Sequence, residues 1–448
     1  MAAKSYISAD AQFTSPSGYL RHLVLENRRG RAIGTYAVCS AHPAVLDAAI
    51  SQCLADGSVL HVESTSNQVN QFGGYTGATP AEFARLVRQA AGSRGLPAAR
   101  VLLGADHLGP YCWRDQPASV AMEYARRLAA DSVQAGYQKI HLDASMPCAG
   151  DPANLSAAVV AERTALLCQA AEESWATLPP GSPRPLYVIG TEVPVPGGEV
   201  REGECPLPTN LGDMQQSLEA FRAAFGTREL ASAWENVVAM VVQPGVEFGD
   251  ASIFEYDRQK AIHLVSGLPL SPEFVYEAHS TDYQTPASLE RMVQDHFAIL
   301  KVGPWLTFAY REAVFALTAI ECEMPEHKHS SSRVRETLET RMLEDPAHWR
   351  PYYHGDQDQQ QLARAFSFSD RCRYYWPQLP VQKQVDRLLH NLSGPLPLTL
   401  LSQYLPFAYE AIRDGRILNT APALICFQIQ RVLKVYAVAC GNLPDRSA

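Results

Sequence analysis

The sequence predicts an α/β fold, a (β/α)8 barrel (TIM barrel) with an α-helical C-terminal extension. Three observations carry this. Eight short apolar runs, rich in β-branched residues and each ending in polar ones, recur over about 270 residues. Most of the gaps between them hold a stretch with helical spacing. Past about Pro325 the alternation stops and helical spacing continues alone. A doubly wound open sheet would more usually carry a glycine-rich phosphate turn after its first strand. Here that turn is Cys39-Ser40-Ala41-His42-Pro43, with no G-x-G-x-x-G.

Taken in order, residues 1 to 30 read as a polar arm leading into a helix with Tyr19, Leu20, Leu23 and Val24 on one side. The first strand is expected over Ala32 to Val38, with Ser40 able to cap the next helix and Pro43 in its first turn. The second runs from Val59 to Val62 and ends at Glu63-Ser64. An amide-rich loop follows, and Thr79-Pro80 with Glu82 opens a helix. The third strand is Val101 to Ala105, inside Gly104-Ala105-Asp106-His107-Leu108-Gly109-Pro110. The fourth is Lys139 to Leu142, before Asp143-Ala144-Ser145. The fifth is Leu186 to Gly190, before Thr191-Glu192. The sixth is Val237 to Val242, before Gln243-Pro244-Gly245. The seventh is Phe274 to Tyr276, before Glu277-Ala278-His279-Ser280. The eighth is Ala298 to Leu300, before Lys301-Val302-Gly303-Pro304. Helices are expected at 118–134, 157–174, 211–225 and 288–295. The polar run 326–332 divides the chain into a barrel with its N-terminal arm (1–325) and a helical C-terminal region (326–448).

Composition excludes several function classes. The formal charge of -9 is modest and spread out, and no Lys/Arg-rich segment points to nucleic acid. The ten cysteines form no C-x-x-C pair and no zinc-type spacing, which suits a reduced cytosol. The first 17 residues lack the apolar core of a signal peptide, and no apolar run is expected to reach the ~20 residues that span a membrane. A cytoplasmic location is expected.

In a barrel the C-terminal strand ends converge on one mouth. Ser40, Glu63, Asp106, His107, Asp143, Glu192, Gln243, Glu277, His279 and Lys301 would meet there. Two histidines among carboxylates suit a divalent metal, zinc or manganese. His107, Glu192 and His279 are the ligands of choice, and Asp106 or Asp143 the general base. Such a metal would polarise a carbonyl and stabilise an enediolate. Lys301 in an apolar strand could form a Schiff base, but neutralising the nearby carboxylates is the simpler role. His141 and His61, each two residues before a strand-end acid, read as packing residues. Asn67, Gln68 and Gln71 offer amides to a sugar, unless the loop bonds to itself. Ser280 and Asp282 would face the same ligand, Gly197-Gly198-Glu199 would form a flap, and the helix start at Gly303 could hold phosphate. The aromatic segment 371–376 reads as a packing anchor whose two arginines leave open a phosphate-contacting lid.

Long runs carry a resemblance: Val38 to Pro43, Thr65 to Gly77, Gly104 to Pro110, His141 to Ser145, Ile189 to Gly198, Val242 to Phe248, Tyr276 to Thr285, Ala298 to Gly303, and Arg373 to Pro377. The chain resembles the GatZ/KbaZ family, the Z subunits of class II D-tagatose-1,6-bisphosphate aldolase, over nearly its whole length. The resemblance implies a non-catalytic subunit that stabilises and activates a catalytic Y subunit in galactitol or tagatose catabolism. It also implies an oligomeric assembly handling a sugar or sugar phosphate. Some members bear the label tagatose 6-phosphate kinase, but the chain has no G-x-x-x-x-G-K-[ST] loop. More distantly the chain resembles catalytic class II aldolases. Their Asp-His pair is matched by Asp106-His107 and their seventh-strand zinc histidine by His279. Gln243 stands where they carry a sixth-strand zinc histidine, with Glu192 as the candidate substitute. The alternative function is a metal-dependent aldolase or ketose 4-epimerase acting alone.

Overall fold

The computed structural model describes residues 15–190, 206–268, 273–327 and 329–442. Eight parallel strands close into a barrel in sequence order: Thr35–Val38, Leu60–Thr65, Val101–Leu108, Lys139–Leu142, Leu186–Ile189, Val237–Val241, Val275–Ala278 and Phe297–Val302. All eight lie where the apolar runs placed them. A two-stranded antiparallel ribbon, Glu247–Phe248 with Ile253–Phe254, follows the sixth.

Four strands run past their expected ends. The second extends to Thr65 because its ladder with the third continues through Glu63↔Gly104 to Thr65↔Asp106. The third extends to Leu108, the seventh to Ala278 and the eighth to Val302. Glu63, Asp106, His107, Glu277 and Lys301 therefore sit inside strands rather than in turns. Neighbouring strand residues normally face opposite sides of a sheet. Asp106 and His107 escape this because the register between third and fourth strands slips between Ala105↔Ile140 and Leu108↔Leu142. His107 takes φ 50° in that bulge.

The helices follow ordinary start signals. Thr79 and Glu82 form a reciprocal cap on Pro80–Ser93, while Ser156, Asn210 and Thr285 cap Ala157–Trp175, Leu211–Thr227 and Pro286–Gln294. Ser40 does not cap the helix Pro43–Asp56. The cap position is His42, and the Ser40 hydroxyl accepts a hydrogen bond from the His42 backbone at 3.2 Å.

Both ends of the described chain serve the barrel. Helix Pro16–Arg28 presses Tyr19, Leu20, Leu23 and Val24 onto an apolar cluster that includes Leu102, Val188, Val238 and Ile299 inside the barrel. Helix Ala421–Ala439 lies against Pro43–Asp56, Pro286–Gln294 and Pro304–Glu323. The residue after it is tied to the first strand's approach, where Gly34 N–H donates to the Cys440 carbonyl at 3.0 Å. By length and composition Ala421–Ala439 is apolar enough to cross a membrane. Here Leu424, Phe427, Val432 and Tyr436 are buried in the fold.

Candidate functional site

Above the apolar plug the barrel interior turns ionic. Lys139 Nζ lies 2.6 Å from Glu63 Oε1 and 2.5 Å from Glu277 Oε2, and all three side chains are fully buried. Lys301 pairs with Glu63, stands 2.9 Å from Asp106 Oδ1 and reaches 3.6 Å to Glu277 Oε1. His61 Nε2 is 2.7 Å from Glu63. Gly104 makes room for this layer, since a Cβ there would stand 2.6 Å from Glu63 Cγ.

One step nearer the mouth, His107, His141 and His279 form a triangle with ring centres 5.0 to 5.3 Å apart. Asp106 Oδ1 bonds His141 Nδ1 at 2.9 Å, Asp143 Oδ2 bonds His107 Nδ1 at 3.0 Å, and Glu277 Oε1 bonds His279 Nε2 at 3.0 Å. Burial alone would push these carboxyls up. The charges outweigh it: Lys139 and Lys301 draw Glu63 down to about 2, and His107 with Lys301 holds Asp106 well below its ordinary value. His107 bonding draws Asp143 to about 2. Burial lowers His279 to about 4, while Asp106 and Asp143 raise His107 against the same burial. The layer thus sets ionised carboxylates and a neutral His279 beside Lys139 and Lys301.

Asp106, His141, Glu277 and His279 can each offer one ligand atom within 4.8 Å of the others. His141 Nε2 is buried without a hydrogen-bond partner. An N/O donor set with one free imidazole nitrogen could hold a divalent ion. An ion there would compete with Lys301 for Asp106.

Over this layer opens a cavity of about 300 Å³, shared between barrel and C-terminal region. Ser40, Asn67, Gln68, Asp106, His107, His279, Ser280, Asp282, Lys301 and Gly303 line it, with Arg373, Tyr374 and Trp376 from the C-terminal side. Glu63 lies beneath the floor and Asp143 behind His107. Gln71 turns away, donating to the Tyr124 carbonyl at 3.0 Å, and Gln243 folds back to accept from Gly245 and Val246. Gln68 and Asn70 bond mostly to their own loop. Asp282 Oδ1 accepts from Gly303 N–H (3.0 Å) and Trp305 N–H (2.8 Å). Glu192 and Gly197-Gly198-Glu199 lie outside the described residues. Besides His107, Ser280, Tyr283 and Asp370 take positive φ around the cavity. Such strain is held only where the surroundings enforce it.

Sequence reasoning passed over Lys139, gave His141 a packing role, and placed Arg373 in a packing anchor while leaving a phosphate-contacting lid open. The signal for the first two was present: Lys139, His141 and Asp143 alternate with Ile140 and Leu142, so one face of an apolar strand is wholly polar.

Residues 20–441 match the family model described as D-tagatose-1,6-bisphosphate aldolase subunit GatZ/KbaZ-like. The chain is 48% identical over 427 residues to the D-tagatose-1,6-bisphosphate aldolase subunit GatZ of Klebsiella pneumoniae, covering 94% of this chain and 99% of that one. Among solved structures, a probable tagatose 6 phosphate kinase from Sinorhizobium meliloti superposes with TM-score 0.83 at 41% identity, over 91% of this chain and all of that one. Fructose-bisphosphate aldolase from Campylobacter jejuni reaches TM-score 0.45 at 11% identity, over 88% and 94% of the two chains.

Proposed function

Because the chain belongs to the GatZ/KbaZ-like family, we propose that it is the Z-type subunit of a cytoplasmic D-tagatose-1,6-bisphosphate aldolase. In this reading it stabilises and activates a separate catalytic Y-type subunit in galactitol or tagatose catabolism. The observation that carries this is 48% identity, nearly end to end, with a GatZ subunit. The barrel interior supports it. Asp106 is pinned between Lys301 and His141 and held well below its ordinary value, so it is a weak proton acceptor. An interior with its acids paired off suits a supporting subunit better than an independent aldolase.

Co-expression with a Y-type subunit tests the reading. The two chains should co-purify, and cleavage of D-tagatose 1,6-bisphosphate by the Y-type subunit should rise in the presence of this chain. Separate elution with unchanged Y-type activity would overturn it, as would equal cleavage by this chain alone.

A divalent ion, zinc or manganese, at Asp106, His141, Glu277 and His279 is part of the proposal. Its support is the unpartnered His141 nitrogen beside three further donors. Metal analysis of the purified chain checks it; a chain that carries no divalent ion and takes up none on dialysis lacks the site.

A further inference from the structure

A barrel commonly holds phosphate at the helix start after its eighth strand, where backbone N–H groups point outward. In this chain that place is filled from within. The Asp282 carboxylate accepts both the Gly303 and the Trp305 N–H. A phosphate brought there would meet a carboxylate instead of free donors.

A positive charge with no direct carboxylate partner lies on the C-terminal region. Arg373 lines the cavity. Its guanidinium is held by the carbonyls of Ser369 and Asp370 and by the Tyr374 hydroxyl at 3.0 Å, and it faces the Tyr374 ring at 4.5 Å. No carboxylate lies within ion-pair distance of it among the described residues. The nearby Asp370 carboxylate is spent on Arg311 (2.8 Å) and on the Thr307 hydroxyl (2.6 Å). Two residues away, Arg371 is 2% exposed and lies over the Tyr352 ring, with Nε and Nη2 lacking any hydrogen-bond partner. Buried cations without counter-charge are costly, and an anion is what relieves them.

We propose that the mouth cavity binds a sugar phosphate, with Arg373 of the C-terminal region taking the phosphate. A guanidinium fixed on one edge presents the rest of its fork to a tetrahedral dianion, and Arg371 behind it adds to the attraction. The same cavity offers neutral groups for sugar hydroxyls in Asn67, Ser40 and Ser280. Its volume of about 300 Å³ falls at the small end of ligand pockets, which fits one monosaccharide phosphate. The C-terminal region is then part of the binding site rather than an appendage.

This inference is independent of the partner reading and is tested on the whole chain alone. The chain is titrated calorimetrically with D-tagatose 6-phosphate, D-tagatose and inorganic phosphate. The ester should bind at least tenfold more tightly than the free sugar. Arg373→Ala should remove that advantage, and Arg373→Lys, which keeps the charge but not the fork, should retain part of it. Since Arg373 also braces two carbonyls, a second measurement needs no substitution: the ester should protect Arg373 of the wild-type chain from phenylglyoxal, read by peptide mass. An ester that binds no better than the sugar overturns the proposal. So does an ester advantage that survives Arg373→Ala, or modification of Arg373 at an undiminished rate. A chain that binds the ester yet fails to activate a Y-type subunit keeps this inference and loses the partner reading.

Discussion

Lys139→Met tests whether the ionic layer inside the barrel holds the fold together. Methionine is unbranched, fills irregular core space and carries no charge, so packing is largely kept. What goes is the ammonium between Glu63 and Glu277, both fully buried. Removing one member of a buried pair leaves an uncompensated charge and costs about 3–5 kcal/mol. Unfolding entropy of about 2.1 cal/mol/K per residue over 448 residues makes about 0.9 kcal/mol/K, so the melting midpoint should fall by about 3–5 °C. The pH dependence is the sharper part. In the wild type burial pushes Glu63 up, but Lys139 and Lys301 bring it down to about 2, and Glu277 also lies well below its ordinary value. Their stabilisation is present above the unfolded carboxylate range, near 4.3, and is lost as pH falls toward the folded values. In the variant these carboxyls accept protons more readily. The deficit should be full at pH 7.5 and clearly smaller near pH 4.5. Thermal melts at both pH values decide. A midpoint within about 1 °C of wild type at pH 7.5, or an equal deficit at both, would refute the reasoning.

Three further predictions follow from single contacts. Gly109→Ala should send most of the protein to the insoluble fraction, because the new Cβ would stand 1.5 Å from the Asp143 carbonyl oxygen, a backbone atom that cannot step aside; a soluble variant with a wild-type melt would contradict this. Burial raises the Glu247 carboxyl to about 7, so the folded state loses stability as pH climbs from the unfolded value toward 7 and beyond. Glu247→Gln should therefore match wild type near pH 5 and melt higher at pH 8; a gap that does not change with pH would count against it. Zinc added to the metal-free chain should raise its melting midpoint, and both His141→Ala and His279→Ala should abolish the rise; a rise retained in either variant would place the ion elsewhere.

Strand identity was readable because parallel strands in a barrel are covered on the outside by helices, so Val101-Leu102-Leu103 and Val237 to Val242 stand out as apolar runs. Strand ends were harder to place. Glu63 and Lys301 read as the polar stops of their strands, yet the interior of this barrel is itself polar at that level and the ladders continue through them. Lys139 and His141 were missed or given a lesser role for the same reason: a charged residue among Ile and Leu looks like an intrusion until its partners arrive from strands far away in sequence. Glu63, Lys139, Glu277 and Lys301 lie on four different strands, and no local pattern links them. The bulge that turns both Asp106 and His107 inward depends on how the fourth strand pairs, which neither residue's neighbourhood encodes. The place of Arg373 beside the mouth depends on how the C-terminal helices dock.

The helices Pro16–Arg28 and Ala421–Ala439 give the fold a definite order of completion. One stoppers the barrel floor and the other is a stave of its wall, and they lie at opposite ends of the described sequence. During synthesis the apolar faces of Pro43–Asp56, Pro286–Gln294 and Pro304–Glu323 must wait uncovered until the last stave emerges from the ribosome. The interval is the time needed to make more than a hundred residues, several seconds or more at about 5–20 residues per second. A chain cut short before Ala421 would keep all eight strands and still leak like a cask with a plank missing. Shielding during that wait, by a chaperone or an already folded partner, would then set the yield of native protein.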